Sequence, residues 1–386
     1  MRLPTRLFSP ARRLPLPPSI RLSVSLFRFH FLSVLLTTVV ATTAAPGTEF
    51  PDAAQPQLAA TATGRVYLTF GRGPEIFIAR SDDAGATFAP PVRVAALPSL
   101  MLGRRRGPRI AAHGDTVTIT AMAGELFAFH SKDAGKSWRG PVLINDVPRS
   151  AREGLHALAV APDGRLFTTW LDLRDIPGAR TQLFASESAD GGATWSANAL
   201  VYRAPAGHTV CECCHPSAHF NARGDLAVMW RNGVDGARDM WSTTRLAGTK
   251  AFSPATKLGT GTWLLQACPM DGGTVFTSGE SFTTIWQRAG AVFLAQPGAP
   301  EISLGPGTQP VAATLGSATH IFFQRGPDLI ATRRSAALAP TPPAPHATNA
   351  RFPSLLALPD GRAILLAYEQ GPAKGAVSVV VETLAP

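Results

Sequence analysis

Short apolar runs recur along the whole chain, among them Val66-Tyr67-Leu68-Thr69-Phe70 and Ala376-Val377-Ser378-Val379-Val380-Val381. Turn-forming residues separate them. The 386 residues include 35 Gly and 34 Pro, residue types that punctuate turns rather than fill helices. The pattern predicts an all-β chain.

A local motif repeats between the runs. Ser81-Asp82-Asp83-Ala84-Gly85-Ala86-Thr87-Phe88 aligns with Ser131-Lys132-Asp133-Ala134-Gly135-Lys136-Ser137-Trp138 and with Ser188-Ala189-Asp190-Gly191-Gly192-Ala193-Thr194-Trp195. The common pattern is Ser-x-Asp-x-Gly-x-Ser/Thr-aromatic. Its residue types suit a stapled hairpin turn. Asp accepts backbone N–H groups of its own turn, Gly allows a positive φ, and the aromatic ring packs between strands. Such a box holds a loop and is not itself an active site.

A longer unit surrounds each box: a strand opening near Pro, a polar turn with Gly, then an apolar strand. Units open at Pro56, Pro108, Leu155, Pro216, Pro269, Pro310 and Pro353, with turns such as Asp163-Gly164-Arg165 and Asp360-Gly361-Arg362. An interval of roughly 40 to 60 residues holds four short strands, one blade of a β-propeller. Seven units are countable, so the expectation is a six- or seven-bladed propeller with Asp-box turns. The last unit lacks a box and an outer strand. A strand from near Pro51 would supply it and close the ring. The Pro-rich stretch Ala339–Pro345 reads as a stiff connector, because a further unit follows it.

The boxes resemble the aspartate boxes of the sialidase superfamily, also known for BNR repeats, over about residues 50–386. That resemblance implies a propeller that acts on or binds glycans. Known sialidases have six blades. They grip the substrate carboxylate with an arginine triad and use a tyrosine nucleophile paired with glutamate and an aspartate acid/base. This chain departs from that pattern. The Arg-Ile-Pro entry motif is absent, and Arg109 in Pro108-Arg109-Ile110 is a loose echo. Of the three tyrosines, Tyr67 and Tyr202 read as packing residues. Tyr368 is next to Glu369, so on a strand their side chains would point oppositely. The nucleophile pair is therefore not carried over.

The N-terminus changes the charge picture. Residues 1–45 hold six arginines and no acid, then an apolar run Phe31–Leu36 and small residues Ala41-Thr42-Thr43-Ala44-Ala45. This reads as a signal peptide, with residues 46–386 as a single propeller domain exported to the periplasm or secreted. The rival is a retained N-terminal anchor. Removing that segment from the 36 basic and 26 acidic residues leaves 30 against 26, a weakly basic domain. With no dense basic stripe, nucleic acid is excluded as a partner. No stable membrane span follows the signal. No phosphate-cradling loop and no Gly-x-Ser-x-Gly elbow is present.

Candidate chemistry sits near the predicted inner strands. Glu153, Asp172 and Asp239 are candidate catalytic acids or bases, from which the two carboxylates of a glycoside hydrolase would be drawn. Arg109, Arg174, Arg231 and Arg238, with Trp170, are candidates for holding a carbohydrate or small anionic ligand. The opposing reading is that Arg174 with Asp175 and Arg238 with Asp239 are loop-stabilising ion pairs. Arg104-Arg105-Arg106 reads as a basic surface loop, and Asp271-Gly272-Gly273 as a turn. The four cysteines, Cys211, Cys213, Cys214 and Cys268, lie just before the Pro that opens units four and five, beside the expected channel. Three readings fit them. They form two disulfides, for example Cys214–Cys268 with Cys211–Cys213; or they bind zinc or copper with His208 or His215; or they are a redox-active pair. Outside that cluster no cofactor is expected. Their arrangement also resembles that of exported sialidase-like proteins with a Cys-x-Cys-Cys motif, which gives a location rather than an activity.

Overall fold

The structure, a computed structural model, describes residues 47–174, 180–335 and 340–384. The signal-peptide segment and Asp175 lie outside them. Every named element is a β-strand, and the strands form seven antiparallel sheets. Six blades span 54–96, 109–143, 156–202, 209–257, 273–306 and 308–347 in succession. In the seventh, Ala350–Ala357, Ile364–Gln370 and Ser378–Leu384 are joined by Thr48–Pro51 from the other end of the chain. The first strand of each blade packs beside the first strand of the next, and the seventh returns to the first. The protein is a seven-bladed propeller, and both the unit count and the terminal closure expected from the sequence hold.

The strands form where apolar runs can be buried on both faces. In Val66–Arg72 and Leu166–Asp172 nearly every position is buried, because each blade is covered by a neighbour on either side. The closing strand places Phe50 against Phe70 and Phe88, with ring centroids 5.4 and 5.9 Å apart, in a cluster that also contains Leu365, Val379 and Val381.

The boxes have the local geometry their residues predict. In the first, Thr87 donates its backbone N–H to Asp83 Oδ1 (2.9 Å) and its hydroxyl to Oδ2 (2.5 Å), while Ser81 Oγ accepts the Gly85 N–H (2.8 Å). The hydrogen bonds from Thr87 and then Ser81 draw the Asp83 carboxyl down to about 2. Gly85, at φ +89°, has no room for a side chain: a Cβ there would lie 2.5 Å from Leu365 of blade seven. Gly192 of the third box meets Thr118 of blade two in the same way. These boxes therefore dock each blade on the one before it.

Antiparallel order puts successive loops on opposite faces. The boxes join third to fourth strands and share a face with the first-to-second turns. The other face carries the starts of the innermost strands, the long 97–108, 144–155, 203–216 and 258–272 connections, and the ends of the second strands. That second face is the channel mouth considered below. Phe50→Ala should cost about 3–5 kcal/mol, the range for truncating a core Phe, and lower the thermal midpoint of unfolding. A midpoint equal to wild type would show that closure does not depend on this side chain.

Candidate functional site at the channel mouth

Three innermost strands begin with the same irregularity. Gln55, Gln309 and Phe352 each precede a proline and have φ of 58°, 52° and 51°. Each sits at a register shift, between Ala54/Gln57, Thr308/Val311 and Arg351/Ser354. A non-glycine residue in this region is uncommon, and a bulge at a strand end re-aims its side chain. Here the bulges turn two glutamines into the mouth.

Gln55 donates its backbone N–H and its side-chain amide to Glu369 Oε1 (2.8 Å each), and Arg351 binds Glu369 Oε2 (2.9 Å). Gln309 donates its backbone N–H to Asp271 Oδ2 (2.7 Å) and its side-chain amide to the Met270 carbonyl (2.8 Å). Arg105 crosses to the same strands. It donates to Gln309 Oε1 (3.0 Å), the Gln309 carbonyl (3.1 Å) and the Pro353 carbonyl (2.7 Å). The Arg104–Arg106 segment is therefore not a surface loop at its centre: Arg105 is buried, and Arg106 ties the segment to the Glu153 carbonyl (2.7 Å).

Three guanidiniums are buried here without a carboxylate in a salt bridge. Arg109 donates to the carbonyls of Gly107, Pro108 and Arg105. Arg231 donates to those of Asp271 (3.0 Å), Arg238 (2.5 Å) and Gln287 (2.7 Å). Burial draws Arg105 down to about 10, and burial with the nearby Arg105 draws Arg109 down to about 9, so both remain cations at neutral pH. Asp271 is fully buried, and its Oδ1 has no hydrogen-bond partner. Burial raises its carboxyl to about 6, against the opposing pull of the Gln309 N–H and of Arg231 and Arg105. Below this layer lies a cavity of about 190 Å3, lined by Arg105, Arg109, His215, Ser217, His219 and Ser354 among others. His215 accepts the Gly272 N–H (3.3 Å). Burial, then Arg105, Arg109 and Arg231, hold its imidazole neutral.

The remaining candidates have other partners. Asp172 is sealed from solvent and accepts from Trp170 Nε1 (2.9 Å) and from Arg174 N and Nε (2.9 and 2.8 Å). Trp170 is buried with it, and Arg174 lies 3.7 Å over the Phe184 ring. Asp239 is held by Lys257 (3.1 Å) and the Trp263 N–H (2.8 Å), not by Arg238 as an ion pair. Glu153 meets Arg106 through its carbonyl. None of Glu153, Asp172, Asp239, Arg174 or Trp170 lines the channel cavity; of the arginine candidates, Arg109 does. Asp271 and Glu369 do not line that cavity either; they are the buried carboxylates of the layer beside it, held by Gln309 and by Gln55. In the sequence, Asp271 read as part of a turn and Glu369 as the neighbour of a tyrosine. Tyr368 and Glu369 do diverge, Tyr368 donating to Glu382 (2.6 Å) on the other side of the strand.

The cysteines also depart from expectation. All four are free thiols, so the Cys214–Cys268 and Cys211–Cys213 disulfides are not formed. The sulfur of Cys211 lies 3.6 Å from that of Cys213 and 3.7 Å from that of Cys214, beyond the ~2.05 Å of a disulfide. Cys268 interacts with Cys213 from the neighbouring connection. Neither histidine joins them: His208 pairs with Asp235 (3.4 Å), and His215 faces the channel. Among the described residues no helix is long and apolar enough to cross a membrane.

Fold and boxes together define a seven-bladed β-propeller with Asp-box turns. Neither a protein-family model nor a curated protein sequence matches this chain. Among solved structures it is similar to an ulvan lyase bound to -[GlcA(1-4)Rha3S]- (11% identity, TM-score 0.55, covering 89% of this chain and 96% of that one). It is also similar to a Penicillium chrysogenum alpha-L-arabinanase complexed with arabinobiose (13%, 0.52, 88% and 98%) and to a Trypanosoma rangeli sialidase in complex with sialic acid (11%, 0.47, 78% and 56%). At these identities the likeness to the lyase and the arabinanase shows the fold alone.

Asp172→Ala leaves the buried Trp170 N–H without its acceptor, while Arg174 keeps Asp146 (3.1 Å) and Asn198 (3.0 Å). The expected loss is about 1–3 kcal/mol of stability, measured by denaturant unfolding. No loss at all would make Asp172 a candidate for function again.

Proposed function

We propose that this chain is an exported glycan-recognising propeller that takes one acidic sugar, or a comparable small anion, at the channel mouth. One observation carries the reading: Arg105 and Arg109 face a single cavity as cations whose hydrogen bonds go to carbonyl oxygens. A carboxylate entering the cavity would supply the salt bridge that neither makes, since Asp271 and Glu369 act on Arg105 without contacting it. Guanidinium groups bind carboxylates in a bidentate, charge-assisted geometry. The size of the cavity argues for a small ligand, since pockets for larger molecules run to about 300–1,000 Å3. The solved ulvan lyase carries a saccharide with an acidic sugar, and the arabinanase a neutral one; the charge at this mouth favours the acidic kind. Export rests on the signal-like residues 1–45.

Glycosidic cleavage is the second reading, favoured by Asp271. A carboxyl held near 6 by burial has the character of a general acid. Its partner at the mouth, Glu369, is already engaged by Gln55 and Arg351, so binding is placed ahead of hydrolysis.

Isothermal titration with glucuronate and with glucose tests the binding reading. Glucuronate should bind and glucose should not, and Arg109→Gln should weaken glucuronate by roughly tenfold or more, the scale of one charged hydrogen bond. Equal binding of both sugars, or an unchanged affinity in a folded Arg109→Gln variant, would refute it.

The pH dependence has a definite sign. Above about 6 Asp271 is ionised and repels an anionic ligand; below that it takes a proton. Glucuronate affinity should therefore rise as pH falls through 6, by about fivefold for ~1 kcal/mol of screened repulsion. Asp271→Asn should abolish the step. A step that persists in Asp271→Asn would assign it to another group.

A further inference from the structure

We propose that Cys211, Cys213, Cys214 and Cys268 form a binding site for one thiophilic d10 ion, Zn2+ or Cu+, on the rim of the channel mouth. The argument begins with backbone placement. Val210 pairs with Asn232, and the Cys211 N–H is held by the Arg231 carbonyl (2.9 Å), at the end of the second strand of blade four. The chain then turns through Glu212 and Cys213. This brings three sulfurs to one side of a single turn, all within 4.8 Å of one another.

Their spacing decides between chemistries. Four sulfurs at about 2.3 Å from a tetrahedral ion lie about 3.8 Å apart. The observed separations, 3.6 and 3.7 Å, are close to that value and far from a bond. Two disulfides would pair two of these three cysteines with each other and the third with Cys268; at 3.6 and 3.7 Å neither Cys211–Cys213 nor Cys211–Cys214 is bonded. Cys268 comes from the 258–272 connection, is exposed and lies near Cys213 but outside the group of three sulfurs, so its side chain would swing in to complete the set. Met270, two residues on, packs against the three buried sulfurs and closes the site on its other side.

Binding replaces four S–H protons, released to solvent, by four metal–sulfur bonds, with no change of oxidation state. The resulting negative charge lies near the buried Arg231, whose carbonyl holds the Cys211 N–H. Because Arg231 also donates to the Asp271 carbonyl (3.0 Å), an ion here would brace the segment that carries Asp271.

The site is tested on the mature protein, isolated from the compartment to which it is exported and, separately, reduced under anaerobic conditions. The reduced chain should take up one equivalent of Co2+, with the intense near-ultraviolet sulfur-to-metal band and the visible bands of a tetrahedral thiolate complex. Zn2+ should displace it, and a parallel Cu+ titration against a competing chelator shows which ion is held more tightly. Cys213→Ser should abolish the thiolate spectrum. If that variant fails to fold, Cys268→Ser serves instead, because the residue is exposed: it should weaken Co2+ by roughly tenfold or more and shift the visible bands while thermal unfolding of the metal-free chain stays unchanged. Two disulfides in the isolated protein, or four reactive thiols that take up no Co2+ at micromolar concentration, would overturn the proposal. A Cys268→Ser variant identical to wild type in affinity and spectrum would overturn the four-cysteine site.

Discussion

A propeller blade is covered only by its neighbours, so the ring has to close between the seventh blade and the first. The pairing of Thr48–Pro51 with Ser378–Leu384 meets that need. It removes an edge that would otherwise expose unpaired N–H and C=O groups, and it buries Phe50 in the seam between blades seven and one. The mouth depends on the same closure. Gln55 of blade one donates to Glu369 of blade seven across a sequence separation of 314 residues, and Arg105 reaches Pro353 across 248. An open ring would leave both acceptors without their donors.

Closure crowds the ends of seven innermost strands into one small space, and polar groups there must be satisfied by each other. Bulges at Gln55 and Gln309 do part of this by aiming amides inward. Backbone carbonyls do the rest, accepting from Arg105, Arg109 and Arg231. Carbonyls satisfy the hydrogen-bonding capacity of a guanidinium without cancelling its charge. The mouth is thus well ordered yet electrostatically incomplete, the condition under which an anion gains most from entering. Asp271 is the counterweight, and its raised proton affinity makes the balance sensitive to mildly acidic pH.

Much of this was legible in particular residues. The Ser-x-Asp-x-Gly-x-Ser/Thr-aromatic boxes announced their own hydrogen bonds, because every partner lies within four residues. Proline at unit openings located the innermost strands, and the cysteines were placed beside the mouth in adjacent blades. The residues of the channel mouth were less legible. Asp172 and Arg174 looked like a site and are an ion pair whose buried carboxylate also accepts the Trp170 N–H. Arg105 looked like surface and is central. Charged residues beside tryptophan carry the same sequence signal whether they face a ligand or each other. The recurring residue before proline at Gln55, Gln309 and Phe352 was the available clue to the mouth, but its positive φ is invisible in the letters.

The sequence alone determined what short-range chemistry determines: strands, box turns, the number of units and the identity of the closing strand. It also fixed the cysteines within one turn and the next connection. Tertiary structure decided which polar groups share the channel mouth, which carboxylates are spent in ion pairs, and that two histidines beside the cysteine motif face elsewhere. The reason is distance along the chain. A turn's hydrogen bonds are specified by residues a few positions apart, whereas the environment of Arg105, Asp271 or Glu369 is set by strands from several blades that meet only after the ring has closed.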